Sequence, residues 1–396
     1  MDGRYYKREL EAPFLEALQQ FPAVMVTGAR QAGKSTFLQH CLPGYTYVTL
    51  DSPRARAMAL ADPELFFEAY PAPVVIDEIQ YAPSLLSYLK MRIDADRDRC
   101  GQFVLTGSQV FQLMAGVSES LAGRVAIFHL YPFSWQEVEG VPGRAGSSGD
   151  ALATMEQTVQ GFYPELLKRP NINRELWYES YLATYLERDV RSLRAIKELS
   201  RFQTFLRLLA MRAGGLLNLS EVGKECGISQ TTAKDWLTVL EATYVVYLLR
   251  PYYHNHGKRL VKSPKLYFVD TGLLCHLLGI ERGDQLLKGA DGGRIFENMV
   301  VMEKVKRASL SRQKVHLYFY RTHKGAEVDL LMERGGVLYP CEIKLSKTPQ
   351  PGMASSLQAF IQDHKGTEGV VLCLQPEEGL LARGVKAKHW SAVTIG

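Results

Sequence analysis

Gly28-Ala29-Arg30-Gln31-Ala32-Gly33-Lys34-Ser35-Thr36 follows the apolar run Ala23-Val24-Met25-Val26 and leads into Phe37-Leu38. A buried strand, a glycine-bounded turn and a helix former in that order read as a phosphate-binding loop. Gly28 and Gly33 let backbone N–H groups wrap an anion, and Lys34 reaches the β- and γ-oxygens of a nucleoside triphosphate. The Ser35 hydroxyl is placed to ligate Mg²⁺, and Ser35 and Thr36 open a helix whose positive end faces the phosphates. A glycine turn of no consequence is the plainer alternative, but it does not call for both the strand before and the helix after.

Working outward, Pro73-Val74-Val75-Ile76-Asp77-Glu78 is an apolar strand ending in two acids, the form of a Walker B motif. Asp77 is expected in the Mg²⁺ shell and Glu78 to polarise the attacking water, a role that separates hydrolases from many P-loop kinases. Phe103-Val104-Leu105-Thr106-Gly107-Ser108 ends in small polar residues. Thr106 or Ser108 could sense the γ-phosphate there, or the three residues could be a plain strand-end turn. Arg124 precedes a further strand and could act as an arginine finger, in cis or in trans, or be a surface arginine. Arg30 is given no catalytic role. Tyr47-Val48-Thr49-Leu50 and Val125-Ala126-Ile127-Phe128 complete a strand–helix alternation that predicts an α/β fold with a parallel sheet.

The chain has 396 residues, 46% of them hydrophobic, enough for two to four domains of an ordinary globular protein. The first 22 residues mix charges through an apolar stripe, so neither a signal peptide nor a membrane span is expected and a cytoplasmic location is. Six cysteines scattered singly argue for reduced thiols rather than zinc or disulfides. A net charge of +5 permits a polyanionic partner without requiring one. Gly140 to Gly149, rich in Gly, Ser and Pro, reads as a loop. From Asn173 to Met211, apolar residues at three- and four-residue spacing predict helices.

Leu219 to Ser229 predicts a short helix with Val222 and Cys226 inward, a glycine turn and a Ser229 cap. The helix that follows turns Ala233, Trp236, Leu237 and Leu240 inward and leaves Gln230, Thr231, Lys234 and Thr238 outward, as in a recognition helix. Strands expected from Tyr244 to Tyr253 and from Lys258 to Val269 would form a wing carrying Lys258, Arg259, Lys262 and Lys265 beside Tyr252 and Tyr253, a composition suited to phosphate contacts. Winged helices also serve as protein-docking modules, so DNA is one of two partner classes this segment allows.

A second constellation lies near the end: Glu297 on a helix, Glu327 and Asp329 on one strand, Glu342 and Lys344 on the next. Strand alternation sets Glu327 with Asp329 and Glu342 with Lys344 on charged faces, with Val328, Leu330, Cys341, Ile343 and Leu345 turned to the core. Glu297, Asp329 and Glu342 could hold Mg²⁺ or Mn²⁺ while Lys344 positions water, the arrangement of metal-dependent phosphodiesterases. An edge hairpin with solvated charges is the bland alternative. The pattern resembles the PD-(D/E)xK nuclease superfamily, with Val328 where that pattern has proline.

Taken in order, GARQAGKST, VVIDEIQ, LTGS, LAGR, YLERDV, KRLVKSPKLYFVDTGL, EVD and EIKLS resemble a group of prokaryotic AAA-superfamily ATPases with a C-terminal domain of unknown function of the 4143 family. The resemblance implies an AAA-type core over residues 1–170, a helical and winged-helix segment over 171–275, and a restriction-endonuclease-like α/β end over 276–396. Lys34, Ser35, Asp77 and Glu78 match its ATP site, and Asp329, Glu342 and Lys344 its nuclease-like signature. Arg188-Asp189 also belongs to the pattern. The expectation is an ATP- and Mg²⁺-dependent hydrolase that binds DNA and assembles as a homo-oligomer, remodelling or cleaving branched or broken DNA with nucleotide state controlling the winged helix and the nuclease-like tail. The alternative is a nucleotide-dependent switch or scaffold whose nuclease-like end is inactive and binds a protein partner. Phosphotransfer to a small molecule is disfavoured by Glu78.

Overall fold

The computed structural model describes residues 5–107, 121–141, 149–186, 199–252, 263–322, 325–364 and 368–391. It divides into two compact units: one of residues 1–141 with 163–165 and 242–244, the other holding the rest. None of the helices among the described residues is long and apolar enough to cross a membrane.

The first unit is built on five parallel strands, β1 (Ala23–Gly28), β2 (Thr46–Thr49), β3 (Val74–Asp77), β4 (Phe103–Gly107) and β5 (Val125–Leu130), in the order β2-β3-β4-β1-β5. β1, β3 and β4 are buried along their whole length, which explains why they read as unbroken apolar runs rather than alternating ones. Ala23 and Met25 pack with Ile76, Leu105 and the helical residues Leu86, Leu89 and Ile93 into one core. The register pairs Val26 with Thr106 and Ile76 with Leu105, so the carboxyl ends of β1, β3 and β4 finish side by side. In open α/β sheets that edge is where ligands bind.

In the second unit eight strands form a mixed sheet. They are β6 (Val246–Pro251), β7 (Lys265–Phe268), β8 (Val315–Arg321), β9 (Glu327–Arg334), β10 (Val337–Ile343), β11 (Gly369–Cys373), β12 (Gly379–Ala382) and β13 (Val385–His389), ordered β12-β13-β11-β10-β9-β8-β6-β7. The hairpin β6–β7 is the element expected as a wing. β6 also pairs in parallel with β8 through Arg250–Tyr318 and Pro251–Phe319, which carries the hairpin into the C-terminal sheet. Apart from residues 242–244, the stretches 171–275 and 276–396 therefore share this unit.

Val328 packs with Leu357 and Phe360 of the helix Ser355–Asp363, whereas Asp329, next along β9, turns toward Glu297 of the helix Gly292–Leu310. Strand alternation thus places these two helices over opposite faces. Upstream lie α1 (Leu199–Met211), α2 (Leu219–Glu225) and α3 (Gln230–Ala242); α3 packs on α1 through Trp236, whose ring meets Phe202 and Phe205 edge-on at 5.3 and 5.4 Å.

Candidate nucleotide site and C-terminal charge cluster

The phosphate-binding loop leaves β1 at Gly28 and enters the helix Lys34–Cys41 at Gly33. Gln31 at φ 57° and Gly33 at φ 90° turn the backbone into a cup, the form in which successive N–H groups bind anions. Gly28, at φ 146°, allows close strand contact, since a β-carbon there would lie 2.0 Å from the Leu130 carbonyl oxygen. Lys34 is 7% exposed and donates from Nζ to the carbonyls of Gly28 and Ala29, both at 3.0 Å. Its ammonium thus already lies over the loop that a phosphate would enter.

Across the sheet edge, Ser35 Oγ donates to Asp77 Oδ2 at 2.9 Å, and the Tyr47 hydroxyl donates to the same oxygen. Burial and the Asp77 carboxylate both push the Tyr47 phenol well above its ordinary pKa, so it stays a donor. Asp77 Oδ1 is buried and finds no hydrogen-bond partner among the described residues, as is also true of Thr106 Oγ1. A hydroxyl beside a carboxylate with an unsatisfied oxygen suits a hard cation carrying water. Glu78 sits in a left-handed conformation at φ 58°, and its carboxylate accepts from Gln80 Nε2. Lys34, Ser35, Asp77, Glu78 and Thr106 therefore meet at one edge. Ser108 lies outside the described residues.

Arg124 does not join them. It precedes Val125, which pairs with Ala23 at the start of β1, whereas the phosphate loop follows Gly28 at the other end of that strand. The two ends are roughly 15–20 Å apart at a strand rise of ~3.3 Å per residue. Its guanidinium forms a two-pronged pair with Asp94, at 2.7 and 2.9 Å. This corrects the cis reading of Arg124: it sits at the strand end away from the phosphate loop, paired with Asp94, which leaves the surface and trans readings.

In the second unit the expected C-terminal residues do converge. Lys344 Nζ lies 2.6 Å from Glu342 Oε2 and 3.2 Å from Asp329 Oδ2, which also accepts from the Ile343 backbone N–H at 3.0 Å. Glu297 joins through Lys265, whose Nζ lies 3.0 Å from Glu297, 2.7 Å from Glu327 and 3.5 Å from Asp329. The Tyr267 hydroxyl donates to Glu297 at 2.6 Å. Burial and the neighbouring Asp329 charge push the Glu342 carboxyl upward, while Lys265 and Lys344 overcome burial to hold Asp329 low. Of the three acids read as metal ligands, Glu297 and Asp329 share Lys265, and Asp329 and Glu342 share Lys344. Among the described residues no group of three or more acids, histidines or cysteines is arranged to hold an ion, and the Lys265 and Lys344 ammonium groups stand among the acids.

Where a helix-turn-helix is expected, α2 and α3 are consecutive helices joined by a short turn. Asn218 caps α2 by accepting from the Glu221 N–H at 3.3 Å, and Gly227 makes the turn at φ 65°. Ser229 Oγ then accepts from the Thr232 N–H at 3.0 Å. Val222, Cys226, Ala233, Trp236, Leu237 and Leu240 are buried, and Gln230, Thr231 and Lys234 are exposed on the first turns of α3. Lys258, Arg259 and Lys262, like Arg188 and Asp189, lie outside the described residues.

Comparison with known proteins adds three family matches: an AAA domain over residues 20–139, a domain of unknown function (DUF8612) over 153–284, and a domain of unknown function (DUF4143) over 292–391. The uncharacterized proteins Mb2031c of Mycobacterium bovis and Rv2008c of Mycobacterium tuberculosis are each 32% identical over 358 residues, covering 90% of this chain and 77% of theirs. The chain belongs to their family. Its first unit is an AAA-type ATPase domain. Among solved structures, the Walker-type ATPase PABY2304 of Pyrococcus abyssi is similar over 69% of this chain and 96% of its own, at 16% identity and a TM-score of 0.46.

Sequence reasoning missed four participants. Tyr47 was read only as part of a strand and Gln80 was not read at all, although Gln80 lies two residues beyond Glu78 in VVIDEIQ. Lys265 was assigned to the wing surface, and Tyr267 was not singled out. Their alternation in Lys265-Leu266-Tyr267 signals a shared face, but only the sheet order says that this face meets Glu297.

Proposed function

We propose that this ATPase engages DNA, using nucleotide state to control how its helix-turn-helix segment grips the polymer. The observation that carries the reading is one chain holding a hydrolytic nucleotide edge, Lys34 with Asp77-Glu78, and a helix-turn-helix whose second helix exposes Gln230, Thr231 and Lys234 at its start. Lys34 would bind the ATP phosphates, Ser35 and Asp77 would hold Mg²⁺, and Glu78 would take a proton from the attacking water. The metal's contribution is charge neutralisation at the phosphates. Arg124 acts, on this reading, across a subunit boundary in a homo-oligomer working in the cytoplasm. The nuclease-like tail serves as a docking module rather than a cutting one, which the lysine-filled acidic cluster favours.

ATP hydrolysis and DNA binding measured in parallel on duplex, single-stranded and junction DNA test this. Wild type is expected to hydrolyse ATP faster with DNA, Lys34→Ala to lose hydrolysis and to bind DNA without response to nucleotide, and Lys234→Ala to weaken binding and reduce its salt dependence. Absence of both DNA binding and DNA stimulation in the wild type overturns the DNA reading and leaves the switch or scaffold.

A further inference from the structure

Lys265 is the first residue of β7, the strand at the end of the eight-stranded order, and is only 2% exposed. An ammonium group carries three donor protons, and here three carboxylates, Glu327, Glu297 and Asp329, stand at 2.7, 3.0 and 3.5 Å from its nitrogen. The Phe319 ring lies 5.9 Å away on an apolar side. Burying a charge without a partner is costly, and so is burying several carboxylates together without a cation. Each group here is tolerable only because of the others.

We infer that Lys265 is the resident cation of the C-terminal acidic cluster, standing where a divalent ion would otherwise stand. A metal ion coordinating those oxygens would need to lie about 2.0–2.6 Å from each, in the space the ammonium fills, and it would be repelled by the ammonium's charge. Lys344 repeats the arrangement one strand over, between Asp329 and Glu342. In this form the cluster works as a tether: a lysine from the β6–β7 hairpin is clasped by carboxylates from β9 and from the helix Gly292–Leu310. It joins chain from the two domains of unknown function, since Lys265 falls within 153–284 and its partners within 292–391.

Two measurements on the full chain test this. In an Asp77→Asn background, which removes the nucleotide-site carboxylate, Mn²⁺ titration followed by electron paramagnetic resonance is expected to show no bound ion. A bound ion that disappears on adding Glu297→Gln overturns the inference. Separately, Lys265→Met is expected to lower the melting temperature or prevent folding, and Lys265→Met with Glu297→Gln to recover a large part of the loss. A lysine serving only as packing gains nothing from removal of a carboxylate. A single variant that melts like wild type, or a double variant no better than the single, therefore also refutes the role.

Discussion

Gly28→Ala tests how closely the nucleotide edge is built. At φ 146°, an added methyl would lie 2.0 Å from the Leu130 carbonyl oxygen, 2.8 Å from its carbon and 2.9 Å from its nitrogen, all backbone atoms of β5. Ordinary contact begins at 3.4 Å, so β5 must retreat by about 1.4 Å, the difference of these two distances, and a backbone cannot rotate away as a side chain can. Overpacking of this kind costs about 1–3 kcal/mol, and forcing an L-residue into a left-handed conformation adds roughly 1–2. Together these predict a loss of about 2–5 kcal/mol, or roughly 5–20 °C in melting temperature for a unit of this size. Calorimetry is the assay, with Gly44→Ala as control, since nothing lies within 4 Å of a β-carbon at Gly44 and surface changes usually stay within about 0.5 kcal/mol. Nucleotide affinity should fall in step with stability, because a displaced backbone at residue 28 carries with it the carbonyl that accepts from Lys34. If Gly28→Ala and Gly44→Ala melt alike, the β1–β5 contact is not as described and the placement of Leu130 over the loop is wrong.

Three further predictions concern the same unit. Gln80→Ala frees the Glu78 carboxylate from its amide partner; kcat for ATP should fall, by up to about 100-fold for a mispositioned base, with KM little changed, and an unaltered kcat would remove Gln80 from any positioning role. Arg124→Ala should leave ATP affinity of the isolated chain untouched in a fluorescent-nucleotide titration, since Arg124 pairs with Asp94 at the opposite strand end; weakened binding would contradict that placement. Burial holds the His129 imidazole below its ordinary value of 6.5, so the native state keeps it neutral while the unfolded chain protonates it. Its contribution to stability is full above that value and is lost as pH falls below it, with a slope of at most about 1.4 kcal/mol per pH unit; urea midpoints from pH 5 to 8 should show the slope and His129→Gln should flatten it.

The nucleotide edge was legible because its chemistry is local in sequence. A strand, a turn with glycines at two positions and a helix fix Lys34 and Ser35 within nine residues, and the acids ending β3 need only a parallel sheet to arrive beside them. Arg124 shows where local reading stops. Preceding a strand is visible in sequence, but which end of the sheet that start occupies depends on β5 pairing with β1 from Val125 opposite Ala23. In a parallel sheet every strand start lies at the end away from the phosphate loop, so a residue just before a strand is excluded from its own site by topology alone.

Lys265 fails to be legible for a different reason. Among four basic residues in KRLVKSPK, charge marks each as a candidate for phosphate contact, and strand alternation divides faces without saying which one is solvated. What decides is a non-local count of acids: Glu297, Glu327 and Asp329 come from two elements that converge more than 30 residues later, and their uncompensated charge makes burial of a lysine favourable. The same count separates the acidic cluster from a metal centre. A motif specifies which ligands are available, whereas the identity of the cation among them follows from which positive group the fold delivers first, and here the edge strand delivers one covalently attached.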